Sequence, residues 1–270
     1  MRRNRLWFTA DTHFRTKVAY YGHLPLSFAR LALRQRRVKY LGHDFFYDNV
    51  ATPLNLQSYP NEITRCILRN LPEIPTTVLD IGGNIGQFSA TLAHFVDLEL
   101  LDVFEPNPTI LPLLEKNLAH LGERANIHNF AISDQEAEFG VLYFQPGRSA
   151  IGSMFASNAG DPESVTEVDI RFVTDPVSVT GRSSYDLVKI DVEGFEIEVV
   201  SSLKNVSTRF LYIEVSGSQR ERTYTDGELM SAISSSFGDY TILYSSGSDS
   251  HDITYELLLD FKPALRVKSE

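Results

Sequence analysis

A chain of 270 residues, 43% apolar and 22% charged, has the length and composition of one large globular domain with an extension. No apolar run reaches the roughly 18 residues of a membrane span, the first 14 residues lack the apolar centre of a secretory signal, and a single cysteine, Cys66, rules out an internal disulfide, so a reducing cytoplasm is the expected setting. Residues 1–40 hold ten Lys or Arg against one acid, Asp11, for a net +9, whereas the remainder holds 15 bases and 34 acids for a net −19, which argues against general nucleic-acid binding.

Leu24, Phe28, Leu31, Ala32 and Leu33 fall close to helical spacing and lead into Arg34, Arg36, Arg37 and Lys39. This predicts a basic amphipathic helix. Residues 1–60 are therefore expected to form a basic helical extension that ends in the turn-rich stretch from Gly42 to Pro53, and residues 61–270 the main domain. The extension either packs on the acidic body or makes peripheral contact with a membrane or a lipid-linked acceptor. A helix is predicted over Asn61–Leu71, with Asn61 as cap and Pro72 and Pro75 as its stop.

From Thr76 the pattern alternates. Thr77–Ile81 reads as a buried strand, Asn84–Phe95 as a helix, Leu98–Phe104 as a strand, Pro108–Leu121 as a helix and Asn126–Ile132 as a strand. Such alternation predicts a Rossmann-like, doubly wound, mostly parallel α/β sheet. Glu138–Phe144 and Val165–Val173 then alternate as an inserted antiparallel β-ribbon around a small-residue loop, Gly147 to Pro162. The α/β order resumes with a strand over Tyr185–Asp191, a helix over Phe195–Leu203, a strand over Phe210–Val215 and a helix over Asp226–Phe237. Tyr240–Ser245 and Thr254–Phe261 close the chain as an antiparallel hairpin at the sheet edge.

The chemistry concentrates in Val78-Leu-Asp-Ile-Gly-Gly-Asn-Ile-Gly-Gln-Phe88, a glycine turn between a strand and a helix. Gly82, Gly83, Asn84 and Gly86 let backbone approach a ligand at a helix start. Asp80 precedes the glycines, where a carboxylate would crowd a pyrophosphate but suits the ammonium of a methionine, directly or through water. Glu105 ends the next strand within Phe104-Glu-Pro-Asn-Pro108 and can accept from both hydroxyls of a ribose. The set favours S-adenosylmethionine over a dinucleotide.

Together with Ala131-Ile-Ser-Asp134 and Asp186-Leu-Val-Lys-Ile-Asp-Val-Glu-Gly-Phe-Glu196, these segments resemble the FkbM family of methyltransferases over residues 77–215 or so. The resemblance implies a class I methyltransferase fold, S-adenosylmethionine as donor and, most often, O-methylation of a sugar, glycan or natural-product hydroxyl. It also implies that Pro106 and Ala131 lie by the nucleoside, and that Asp134 accepts from the adenine amino group unless it merely caps a turn. Gly83 stands where many relatives carry alanine, a change expected to be harmless.

Asp191 ends the Tyr185 strand, where ligands bind in a doubly wound sheet, and is the first candidate for the base that takes the acceptor's proton. The plainer alternative is that Asp191 and Glu193 only cap the following helix. Lys189 shares a face with Asp191. A lysine on a central strand needs a partner, and Glu214 is the expected one, so Lys189, Asp191 and Glu214 should cluster. Asp191, Glu193 and Glu214 are hard donors that suit Mg²⁺ or Ca²⁺, yet nothing in their spacing demands a metal and none is expected. Glu193, Arg148, Ser149 and Ser153 are the acceptor-binding candidates, the last three on the loop that should cover the site. Tyr59 and Glu62 are candidates to close over the methionine end, with a core position the alternative for Tyr59. His251 reads as a solvated loop histidine before an acceptor contact. Three other readings stay open: N-methylation of a peptide or amino-sugar, a non-catalytic cofactor-binding or interaction protein, and a nicotinamide-dependent dehydrogenase.

Overall fold

The computed structural model describes residues 36–48, 52–72, 74, 76–146, 148–159, 163–216, 222–246 and 254–261. The helix expected around Leu24–Leu33 and the loop histidine His251 lie outside the described residues. Within the described part of the extension, Arg37–Tyr40 (β1) and His43–Phe46 (β2) form an antiparallel hairpin, so the basic run continues as a strand and the turn-rich stretch begins as one. A short helix follows, Thr52–Ser58 (α1). Phe45, Tyr47 and Leu56 are buried in the same core as the main domain, so packing continues across residue 60.

Glu62–Asn70 (α2) starts where Asn61 Oδ1 accepts from the amide of Thr64 at 3.0 Å, which satisfies one of the free donors of the first turn. The core then alternates as expected: Thr76–Ile81 (β3), Gln87–Phe95 (α3), Leu98–Phe104 (β4), Leu111–Leu118 (α4) and Ala125–His128 (β5). Next come Ala131–Ile132 (β6), Phe139–Gln145 (β7), Arg148–Ser153 (β8) and Thr166–Val173 (β9). The chain ends through Val177–Thr180 (α5), Ser184–Ile190 (β10), Glu196–Ser202 (α6), Ser207–Val215 (β11), Asp226–Phe237 (α7), Tyr240–Ser245 (β12) and Tyr255–Phe261 (β13).

The main sheet has the order β12-β13-β11-β10-β3-β4-β5. Strands β11, β10, β3, β4 and β5 are parallel neighbours, and β13 runs antiparallel to both β11 and β12. Alternate residues face opposite layers, as strand geometry requires. Val78, Leu187, Phe210, Tyr212 and Leu258 join the layer of α2, α3 and α4, whereas Leu79, Val188, Leu211, Ile213 and Leu259 join that of α6 and α7. Both faces are therefore covered, which explains why these strands read as continuous apolar runs. Each fully buried aliphatic side chain contributes about 1.5–3 kcal/mol.

Two expectations change. The strand expected over Asn126–Ile132 is broken: β5 ends at His128, and β6 leaves the main sheet to pair with β9. The expected loop over Gly147–Pro162 is partly strand, because β8 pairs with β7 to give a second sheet of order β6-β9-β7-β8. Its Ser, Ala and Gly residues carry little apolar alternation, so the strand is silent in sequence. The order of the main sheet reverses between β3 and β10, and ligands bind at such a switch point.

Candidate functional site

The turn after β3 lies against the end of β10. Gly82 has φ +81°, and a Cβ there would sit 1.9 Å from the carbonyl oxygen of Asp191. Only glycine serves such a position. The amide of Asp191 donates to Ile81 O at 3.1 Å, which locks the two strand ends together. Gly83 has an ordinary φ, but a Cβ would meet Val103 Cγ1 at 2.1 Å. β4 thus fills the space that a methyl at Gly83 would need, so this turn accommodates glycine. Gly86 caps α3 and packs that helix against Leu114 and Leu118.

Glu105 leaves the end of β4 with 6% of its surface exposed. One carboxylate oxygen accepts from the amide of Asn84 at 2.8 Å and the other from the amide of Asn107 at 2.8 Å. Burial raises its pKa to about 7 against the lowering effect of these amides. A buried carboxylate with lone pairs to spare beside a glycine turn fits the diol of a ribose.

Lys189, on β10, is 4% exposed. Its Nζ lies 3.1 Å from Asp80 Oδ1 and 3.3 Å from Asp191 Oδ2, donates to Gly82 O at 3.1 Å, and sits 5.6 Å above the ring centre of Phe88. Burial disfavours its charge, but the two carboxylates outweigh that effect and raise its pKa. Its ion-pair partners are thus Asp80 and Asp191, not Glu214 as expected. Asp80 also accepts from Ser89 Oγ at 2.5 Å and is fully buried, outside the cavity lining. It therefore anchors Lys189 from beneath the residues that line the cavity.

Across the β10–β11–β13 register, Asp191 neighbours Glu214, and Glu214 pairs with Glu256. Glu214 is pushed up to about 8, first by the charge of Asp191, then by burial and Glu256, with Lys189 opposing. Glu256 is raised by burial and accepts from Tyr212 Oη at 2.9 Å. The phenol of Tyr59 is raised by burial, opposed by Lys189 and reinforced by Asp191 and Glu214.

Tyr59, Asp191 and Glu214 open on one cavity of about 570 Å³. It runs from Asn84, Glu105 and Pro106 past Phe130 and Ala131 to Lys189, Asp191, Glu193 and Glu214. Leu142, Gly152 and Met154 of the second sheet form a wall, and Tyr59 joins the lining. Ser153 Oγ donates to Glu193 O at 2.9 Å and so joins that wall to the turn after β10. Asp134 is exposed and outside the lining, as is Glu62. Arg148 and Ser149 belong to β8 by backbone, and their side chains lie outside the described set. Among the described residues no group of three or more His, Cys, Asp or Glu is placed to hold a metal ion, and no helix is long and apolar enough to cross a membrane.

Sequence reasoning passed over Ser89, Phe130, Glu196 and Glu256. Glu196 ends the Asp186–Glu196 segment that carries part of the family resemblance, which was a usable signal. Ser89 lies on the first turn of α3, only nine residues from the Asp80 it bonds, whereas Glu256 reaches Glu214 only because β13 borders β11.

A sequence profile described as the methyltransferase FkbM domain matches residues 80–241. The chain is 27% identical over 172 residues to the 2-O-methyltransferase NoeI of Sinorhizobium fredii, covering 57% of this chain and 69% of that protein. It is 25% identical over 164 residues to the AMB antimetabolite synthetase AmbE of Pseudomonas aeruginosa, covering 48% of this chain but spanning only 8% of the synthetase. Among solved structures it is similar to the magnesium protoporphyrin IX methyltransferase of Synechocystis PCC 6803 with bound S-adenosylmethionine, at 12% identity and a TM-score of 0.45 over 76% of this chain and 79% of that one.

Proposed function

The chain belongs to the FkbM family of S-adenosylmethionine-dependent methyltransferases, and from that premise we propose that it methylates a hydroxyl of a sugar, glycan or natural product, with Asp191 as the group that takes the acceptor's proton. The observation that carries this reading is the position of Asp191: at the end of β10, lining the cavity, touching Lys189 on one side and the turn of Gly82 on the other. The name of the relative NoeI, a 2-O-methyltransferase, supports an oxygen acceptor.

Glu105, steadied by the amides of Asn84 and Asn107, would hold the ribose, Ala131 and Pro106 the nucleoside edge, and the backbone of Gly82 and Gly83 the approach to the methionine part. S-adenosylmethionine, once bound, would supply a methyl group carried on a sulfonium sulfur, a leaving group that needs no proton. The protein therefore has no leaving group to protonate. It must orient an acceptor oxygen and remove its proton as the new carbon–oxygen bond forms. A sugar hydroxyl is a weak acid, so a placed base contributes about 10²–10⁴-fold. Glu214, raised to about 8, carries a proton in neutral solution and can donate to a neighbouring acceptor oxygen. Asp191, paired with the Lys189 ammonium, is left to receive one. Glu193 lies at the rim, where an acceptor would be read, and the buried Ser153 holds its carbonyl in place.

Calorimetry with S-adenosylhomocysteine, wild type against Glu105→Gln, tests the cofactor end; binding weakened at least tenfold by the variant is expected. Transfer of labelled methyl to a panel of neutral methyl glycosides and matched amino-glycosides tests the acceptor. Labelling of neutral glycosides, lost in Asp191→Asn, is the expected result. Labelling confined to amines, and abolished by acetylating them, would replace oxygen by nitrogen as the accepting atom.

A further inference from the structure

Glu196 is fully buried, yet it is an acid at the first position of α6 and takes no part in the chemistry just described. Its carboxylate is saturated. Oε1 accepts from the amide of Gly194 at 3.0 Å, from the amide of Ser216 at 3.2 Å and from Ser216 Oγ at 3.1 Å. Oε2 accepts from Tyr224 Oη. The donors come from three places, of which Tyr224 lies just before α7. Gly194 belongs to the turn between β10 and α6, three residues after Asp191. Ser216 follows β11, two residues after Glu214, and is itself buried.

The turn that Glu196 grips is not one the chain adopts by default. Glu193 has φ +53° and Gly194 φ +107°. A non-glycine residue held at positive φ is strained and persists only when its surroundings impose it. The Gly194 amide bonded to Glu196, and the Glu193 carbonyl accepting from Ser153, impose it from both sides. Ser153 in turn accepts from the amide of Phe155 at 3.2 Å. One continuous set of hydrogen bonds thus joins the second sheet, the Asp191 turn and the end of β11.

We propose that Glu196 is the positioning residue of this site: a buried carboxylate that ties the Asp191 turn to the end of β11 and so fixes the separation of the Asp191 and Glu214 carboxylates at the transferred methyl. The proposal rests on the reading of Asp191 and Glu214 as the groups at the methyl-bearing sulfur. The role belongs to the shape of the carboxylate, two acceptor oxygens set between four donors, rather than to its charge. Glutamine keeps one acceptor for the two amides and can donate its amide to Tyr224 Oη in place of the bond it loses. Alanine leaves both backbone amides buried without a partner and lets the two strand ends drift.

The test needs no acceptor, because the sulfonium is charged and the thioether is not. Dissociation constants for S-adenosylmethionine and S-adenosylhomocysteine are measured on wild type, Glu196→Ala, Glu196→Gln and Tyr224→Phe. Retreat of the charged Asp191 carboxylate by about 1 Å from a cation in a partly buried site weakens its binding about fourfold. The ratio of the two constants is therefore expected to shift about fourfold against S-adenosylmethionine in Glu196→Ala and by less in Tyr224→Phe. It should stay at the wild-type value in Glu196→Gln, with S-adenosylhomocysteine held within about threefold throughout. An unchanged ratio in folded Glu196→Ala overturns the proposal, as does a parallel loss of both ligands. A shifted ratio in Glu196→Gln overturns it in favour of a charge effect. If Glu196→Ala does not fold, Tyr224→Phe and Glu196→Gln carry the same distinctions. Failure of wild type to bind S-adenosylhomocysteine would instead strike the cofactor reading itself.

Discussion

Replacing Gly83 by alanine separates what sequence likeness suggests from what packing allows. Gly83 is buried and its φ is ordinary, so an added methyl meets no backbone strain. It meets Val103 Cγ1 at 2.1 Å, against a comfortable carbon–carbon contact of about 3.5–4.0 Å. Val103 is wholly buried in β4, pairs with Asp80 on one side and Ile127 on the other, and as a β-branched residue has little freedom at χ1. The overlap must be relieved by moving the turn or the strand, at a cost of about 1–3 kcal/mol. Val103→Ala alone removes two methyl groups and costs about 2 kcal/mol in lost burial and cavity. In the double variant the new methyl occupies the vacated space, so the two losses should fall short of additive by about 1–2 kcal/mol. Urea unfolding of the four proteins at one pH measures this cycle. Titration with S-adenosylhomocysteine supplies an independent reading, because the next amide, of Asn84, holds Glu105 at 2.8 Å. Gly83→Ala should weaken binding several-fold, and the double variant should recover it. Strict additivity, or a Gly83→Ala protein as stable as wild type, would refute the reasoning.

Glu105 and Glu214 bind protons in the folded state that the unfolded chain gives up near pH 4.5, since burial and like charge raise them to about 7 and about 8. Their favourable contribution is complete below about pH 4.5 and is lost as pH rises through 7 to 8; the stability of wild type relative to Glu105→Gln should therefore fall between pH 5 and 8.5 in urea titrations, and a pH-independent difference would contradict the assignment. Lys189→Met leaves Asp80 buried without its counter-charge and should cost about 3–5 kcal/mol, much of it regained in Asp80→Asn/Lys189→Met. Equal unfolding midpoints for the single and double variants would show that the pair is not the reason.

Much of the fold was legible because its causes are local. The apolar runs of β3, β4 and β10, the Asn61 cap and the glycine turn each state their structure within a few residues. Leu98–Phe104, Asp226–Phe237 and Tyr240–Ser245 coincide with their expected bounds. β8 escaped notice because its residues are too small to alternate visibly. The break after β5 escaped because the chain changes sheets without a change in composition. At the site, the strand-end positions of Glu105 and Asp191 followed from the α/β order. Their partners did not: Lys189 chooses Asp80 and Asp191 over Glu214 because β3, not only β11, borders β10 on that face.

The sequence by itself determined the alternation of elements, the glycine turn, the acids that end two strands and the family likeness, all carried by residues adjacent or regularly spaced along the chain. The tertiary structure decided which acid faces the cavity and which is sealed beneath it, that a methyl at Gly83 has no room, and that Glu196 joins two loops. Those outcomes depend on which strands become neighbours and how closely their ends approach, and no local spacing encodes a distance between residues twenty to one hundred positions apart.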